Sequence, residues 1–242
     1  MNKVFTSILK VIIPRKLRSS IREALTNELN GPYQPNPCYG QEGEDLILNE
    51  FLNGIKKGFF VDIGSYHPIL YSNTYLFYLK GWRGINIDAR PDSMIVFNQI
   101  RPEDINLEVA IGKEEKELTY FMFDEPGLNG FSSEHSHDRD TNTSFKIQNK
   151  VNIKLRRLEH VLDEYLPEGT NISFMSIDVE GLDFEVLESN NWVKYKPSII
   201  LVETSITADG LALNSPIHLF LSEKGYELVA KTYRTSFYKL NK

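Results

Sequence analysis

Five apolar runs of strand length, each followed by a stretch with helical character, constrain the fold of this chain more than any other feature. They are FFVDIG (59–64), GINID (84–88), INLEVAI (105–111), ISFMSIDV (172–179) and SIILVET (198–204). None alternates strictly between apolar and polar residues, as a strand with one face in water would, so the pattern predicts parallel strands covered on both faces. Helical stretches at 72–80, 91–99, 156–166, 181–190 and 215–223 supply the covering layers, which gives a doubly wound α/β sheet. The end differs. YELVAKTYRTSFYKL (226–240) reads as two alternating strands about a short turn, an antiparallel hairpin at the sheet edge.

A chain of 242 residues can bury one large α/β core. Gly31, Pro32, Pro35, Pro37 and Gly40 break any helix over residues 30–40. The expected organisation is therefore a basic leader with its Pro/Gly-rich linker over 1–40 and one domain over 41–242. Residues 112–155 interrupt the strand–helix rhythm with polar sequence and are expected to form a lid or substrate-selecting loop. The single Cys38 excludes an intramolecular disulfide and suits a reducing compartment, which predicts a cytoplasmic protein.

Residues 1–25 carry Lys3, Lys10, Arg15, Lys16, Arg18 and Arg22 against Glu23, a charge of +5 in a chain whose total is −6. This leader can lie flat on an anionic bilayer, a peripheral membrane contact, or it can cover part of the domain. Lys10 interrupts its apolar centre, which argues against a signal peptide. The acidic remainder has no arginine-rich groove for nucleic acid.

Asp62 ends the first run, near the carboxyl end of a strand where open α/β sheets bind ligands, and Gly64 follows where backbone must approach a ligand closely. Asp88 ends the second run 26 residues later, where a carboxylate can accept both hydroxyls of a ribose. A dinucleotide site requires further glycines in the first turn, because the pyrophosphate sits against bare backbone. Ser65, Tyr66, His67 and Pro68 fill that space, so the preferred cofactor lacks a pyrophosphate, and S-adenosylmethionine fits. Parallel strands finished by an antiparallel hairpin are also the Rossmann-like layout of class I methyltransferases.

In SIDVEG (176–181), Asp178 and Glu180 follow a strand and are expected to share a face. Such a pair suits a general base or a divalent-metal site, although no metal ligand set is assigned. Glu203, closing the neighbouring strand, is a substrate-binding candidate. His67 could act as the base, orient the substrate or hold the turn together.

GQEGEDLIL, GFFVDIGSYHP, SNTYLFYLKGWRGINIDARP, INLEVAIG and FMSIDVEGLDFEVLE resemble, in the family's order, the FkbM-type S-adenosylmethionine-dependent methyltransferases over roughly residues 40–205. The resemblance implies O-methyl transfer to a hydroxyl of a sugar or glycan precursor, in surface polysaccharide or natural-product biosynthesis. It places Asp62, Gly64 and Ser65 in the loop beside the cofactor's methionine part, and Asp88 on the ribose. Ala89, Ala110 and Ile111 then lie by the adenine, with Gln41 and Glu44 toward the methionine amino group. The expected base is Asp178, with His67 or Glu180 as alternatives. The rival reading is a scaffold that keeps the cofactor fold at a membrane surface without catalysis.

Overall fold

The computed structural model describes residues 36–204 and 213–241. The leader over 1–25, with its membrane reading, lies outside the described residues. Residues from Cys38 onward form one compact unit.

A seven-stranded sheet organises this unit. Its strands are β1 (Phe59–Ile63), β2 (Arg83–Asp88), β3 (Ile105–Glu108), β7 (Phe174–Ile177), β8 (Ile199–Glu203), β9 (Tyr226–Lys231) and β10 (Thr235–Leu240). Their order is β3-β2-β1-β7-β8-β10-β9. The first five pair in parallel, whereas β10 runs antiparallel to both β8 and β9. This is the doubly wound, mostly parallel sheet with a C-terminal hairpin that the sequence predicts. The order of strand addition reverses between β1 and β7, and ligands of open α/β sheets bind at such a switch point.

Alternate strand residues feed two cores, as the period of two dictates. On one face Val61, Ile63, Ile85, Ile87, Met175 and Ile177 pack with residues of α5 (Leu158–Tyr165), α6 (Asp183–Glu188) and α7 (Pro216–Glu223). On the other, Phe60, Phe174 and Leu201 pack with Leu48 and Leu52 from α1 (Glu44–Phe51) and its end, and with Leu76 and Phe77 of α2 (Tyr75–Leu79). A further helix, α3 (Ser93–Ile100), connects β2 to β3.

Two expectations need correction. The run 105–111 is not one strand: after Glu108 the chain leaves the large sheet, and β4 (Ala110–Ile111) pairs with a second one. Nor are residues 112–155 an irregular loop. They contain β5 (Glu117–Phe123), a short 3-10 turn at Pro126–Leu128, α4 (Ser133–Asn142) and the start of β6 (Ile147–Arg156), and the second sheet has the order β4-β6-β5. Val151, Ile153 and Leu155 alternate with polar residues along β6, a period-two signal hidden by the polar sequence around it. Ser132 starts α4 by accepting a hydrogen bond from the His135 N–H at 3.2 Å.

Candidate active site

A cavity of about 530 Å³ opens at the carboxyl ends of β1, β2, β7 and β8. Asp88 lies on its wall. Burial raises its carboxyl above the ordinary value, while the Arg90 and Tyr66 backbone N–H groups, each 2.8 Å from one carboxylate oxygen, favour the ionised form. Each oxygen keeps a lone pair free to accept a further hydrogen bond. Apolar Ile87, Ala89, Val109 and Ile111 line the same region, with Tyr120 and Phe131 contributed by the insertion. Sequence reasoning missed these two aromatics because their segment read as a loop.

Asp178, Glu180 and Glu203 also line the cavity. Asp178 stands open to solvent through the cavity. Protein packed around it, and then the charges of Glu203, Asp183, Glu180 and Asp62, push its carboxyl well above the ordinary value. Glu203 is pushed to about 7, by burial first and by Asp183 and Glu180 next. Asp183, buried and accepting from the Val179 and Gly181 N–H groups at 3.2 Å, is raised to about 6. One oxygen of each of Asp178, Asp183 and Glu203 lies within 4.8 Å of the others, close enough to share protons or to hold a divalent cation.

Several assigned residues sit elsewhere. Asp62 points to the Phe60 face of the sheet, beneath α2, and does not line the cavity: its carboxylate accepts from Thr74 Oγ1 at 2.9 Å, with the Arg101 guanidinium as counter-charge. Gly64 lines the cavity, yet its close neighbour is protein and not ligand. A Cβ there would stand 1.6 Å from the Asp178 carbonyl oxygen, and φ is +82°. Ser65 is buried off the cavity with an unpartnered hydroxyl, and Ala110 is buried in the short strand β4.

His67 is corrected as a base. Its Nδ1 accepts from the Ile69 and Leu70 N–H groups at 3.1 and 3.0 Å, so the neutral ring carries its proton on Nε2 and has no lone pair left to take another. Glu180 is corrected too. The strand ends at Ile177, Glu180 adopts φ 53°, and its carboxylate is held by Arg139 Nη2 at 2.9 Å. That ion pair ties α4 to the turn after β7; Arg139 Nη1 also donates to the Leu128 carbonyl at 3.1 Å.

Gln41 and Glu44 line the far end of the cavity, joined by Asn73, Arg234 and Thr235, which sequence reasoning did not single out. Thr235 Oγ1 donates to Glu44 Oε1 at 3.3 Å, and the Arg234 N–H donates to Glu42 at 3.0 Å. The hairpin thus holds the segment before α1 in place. No local signal marks Arg234, because its role depends on a contact 192 residues away.

Among solved structures the chain resembles a precorrin-6y C5,15-methyltransferase from Geobacter metallireducens, with 11% identity, 88% of this chain and 96% of the other covered, and a TM-score of 0.42. It also resembles a TehB-like SAM-dependent methyltransferase from Corynebacterium glutamicum, with 8% identity, coverage of 95% and 100%, and a TM-score of 0.39. A third similar structure is an O-methyltransferase from Bacillus cereus in complex with SAH, with 11% identity, coverage of 97% and 94%, and a TM-score of 0.38. No curated protein matches the chain. The family model described as methyltransferase FkbM domain matches residues 62–228, a span that includes the Asp88 wall, the acidic cluster and the insertion. More than half of the chain falls within that match, and the chain belongs to the FkbM methyltransferase family.

Proposed function

We propose that this protein is an S-adenosylmethionine-dependent O-methyltransferase whose acceptor is a hydroxyl of a sugar or glycan precursor. The observation that carries the reading is one cavity with two unlike carboxylates on its wall. Asp88 is held by two backbone N–H groups with lone pairs to spare, and Asp178 has a raised affinity for protons.

The loop after β1 supports this cofactor over a dinucleotide. The Gly64 and Ser65 N–H groups both donate to the Ile87 carbonyl, at 2.9 and 3.0 Å, the Tyr66 N–H to Asp88, and the His67 N–H to Ser65. None of these donors is left to cradle a pyrophosphate. Asp88 and the apolar wall beside it suit an adenosine, and Gln41, Glu44 and Asn73 offer polar groups to an amino-acid end. When bound, the cofactor supplies an electrophilic methyl group on a sulfonium.

The chain's own residues then orient the acceptor and accept its proton. A carboxylate with a raised pKa is a better base than an ordinary one, and Asp178 acquires this property from the protein packed around it and from Glu203 beside it. Asp183 is pinned by two N–H groups and fixes the turn that carries Asp178. Tyr71 and Leu70, exposed on the cavity lining, offer an apolar face to the C–H side of a sugar ring. The rest of the rate comes from holding two reactants in line.

Calorimetric titration with S-adenosylmethionine, S-adenosylhomocysteine and NAD tests the cofactor; failure to bind the first two refutes the proposal. Asp88→Ala should weaken binding, and undiminished affinity would remove the ribose assignment. Asp178→Asn should keep that affinity while S-adenosylhomocysteine release, assayed with glycan acceptors, falls by about 10²–10⁴.

A further inference from the structure

Two arginines line the cavity, Arg90 and Arg234. Arg90 is occupied: its Nη2 donates to the Tyr66 carbonyl at 3.0 Å, and its guanidinium lies 6.0 Å from the centre of the Tyr66 ring. Arg234 is not. Among the described residues its guanidinium makes no hydrogen bond, and the carboxylate it approaches, Glu42, stays 3.9 Å from Nε while the side chain is half exposed. A planar fork of N–H donors thus stands without a protein acceptor. The backbone beneath it is fixed, since the Arg234 N–H donates to Glu42 Oε2 at 3.0 Å and its carbonyl accepts from the Thr204 N–H at 2.8 Å. Lys231, on the same hairpin, donates from Nζ to the Thr204 hydroxyl at 2.7 Å; burial lowers its pKa, and the charge of Glu42 opposes that effect. Two cations therefore share the field of one glutamate, which leaves this turn with surplus positive charge.

The place of the turn along the sheet says which reactant it meets. In the order of the strands, the carboxyl edge carries Asp88 at the end of β2, Asp178 just after β7, Glu203 at the end of β8 and Arg234 just before β10. Neighbouring strands lie about 4.8 Å apart, so Arg234 stands about 10 Å beyond the turn that bears Asp178, on the side away from Asp88. With adenosine against Asp88 and the reacting hydroxyl at Asp178, that interval is the span of one sugar ring and a substituent. Glu203 lies between the two, and its carboxyl, pushed to about 7 by burial first, does not fully neutralise Arg234 near neutral pH. The substituent that a guanidinium fork recognises is an oxyanion, a carboxylate or a phosphate.

We propose that Arg234 is a specificity-determining residue that binds an anionic substituent of the acceptor sugar, a carboxylate or a phosphate, with Lys231 adding to the positive field. The proposal rests on the methyl-transfer reading above and narrows its acceptor to acidic sugars. A neutral sugar leaves the fork unfilled, and an amino sugar is repelled by it.

The test is calorimetry on the full chain saturated with S-adenosylhomocysteine, with D-glucuronate, D-glucose 1-phosphate and D-glucose as probes. At least one anionic sugar should bind about tenfold or more tightly than glucose, and the better of the two tells carboxylate from phosphate. Arg234→Gln, which keeps both backbone bonds, should shrink that preference to within about threefold. Arg234→Lys retains the charge without the fork and should keep an intermediate preference. Both variants should hold S-adenosylhomocysteine within about twofold of the wild-type affinity. Equal binding of the three sugars, no binding of either anion, or a preference unaltered in Arg234→Gln overturns the proposal. So does acetate or inorganic phosphate binding as tightly as the sugar that carries the same group, which would mark a site for a bare ion. If the Gln variant instead loses S-adenosylhomocysteine and keeps 5′-methylthioadenosine, the fork serves the cofactor's own carboxylate, and the acceptor assignment falls. A wild-type protein that does not bind S-adenosylhomocysteine refutes the methyl-transfer reading itself.

Discussion

Replacing Glu203 by Gln should stabilise the folded protein at pH 8 and leave it nearly unchanged at pH 5. Glu203 sits within 4.8 Å of Asp178 and Asp183, and its carboxyl is pushed from the ordinary 4.5 to about 7. A group whose folded value is raised contributes stability fully below its unfolded value, and that contribution is lost as pH rises through the folded value. The wild-type protein therefore carries the cost of an ionised Glu203 at pH 8 and is free of it at pH 5. A raised value of this size corresponds to about 3 kcal/mol, and screening by the solvent that reaches the cavity reduces it to about 2 kcal/mol. For a domain of this size that is about 4–8 °C in melting temperature. Differential scanning calorimetry at the two pH values, with and without chelator, reads the effect directly. Equal gains at both pH values, or a loss at pH 8, would refute the reasoning. So would a rise in wild-type melting temperature with added Mg²⁺ that the Gln variant lacks, since the carboxylates would then be serving a cation and not sharing protons.

Arg101, wholly buried, pairs with Asp104 at 2.8 Å, donates to Thr74 Oγ1 at 3.0 Å and offsets the charge of Asp62; Arg101→Met should cost about 3–5 kcal/mol in urea unfolding. A loss below 1 kcal/mol would show that the two aspartates are held by their hydroxyl and amide donors alone. Gly64→Ala places a Cβ 1.6 Å from the Asp178 carbonyl at a φ of +82°, and it should lower both stability and S-adenosylhomocysteine affinity; a variant with normal affinity would contradict the close packing. Arg139→Ala breaks the partly exposed pair with Glu180 and should cost under about 1 kcal/mol, while amide exchange across Pro126–Leu128 and α4 accelerates. Unchanged exchange would mean that the pair does not hold the insertion.

The sheet was legible because its signal is local: each apolar run needs only its own residues to announce a strand covered on both faces. Asp88 was legible for a related reason, since the end of a strand fixes where its last side chain stands. Asp62 was misplaced because the motif gives its position along the strand but not its face, and the pleat turns it toward Phe60 and α2. His67 and Glu180 carry suitable chemistry in a suitable turn, and only the acceptor bonds of the one and the arginine across the cleft from the other show that both are occupied. The insertion hid its strands behind a polar α4, and Asn73, Arg234 and Glu44 acquire meaning only from contacts that span the chain.

The fit of Gly64 against the Asp178 carbonyl has an evolutionary consequence. Main chain meets main chain there, and the Asp178 N–H returns a bond to the Ile63 carbonyl at 2.9 Å, so the loop after β1 and the turn after β7 form a single casting. Neither can drift without the other, so the two are inherited as one unit. The second sheet with its helix is joined to the turn after β7 by the exchangeable Arg139–Glu180 pair, and it is freer to vary than the casting.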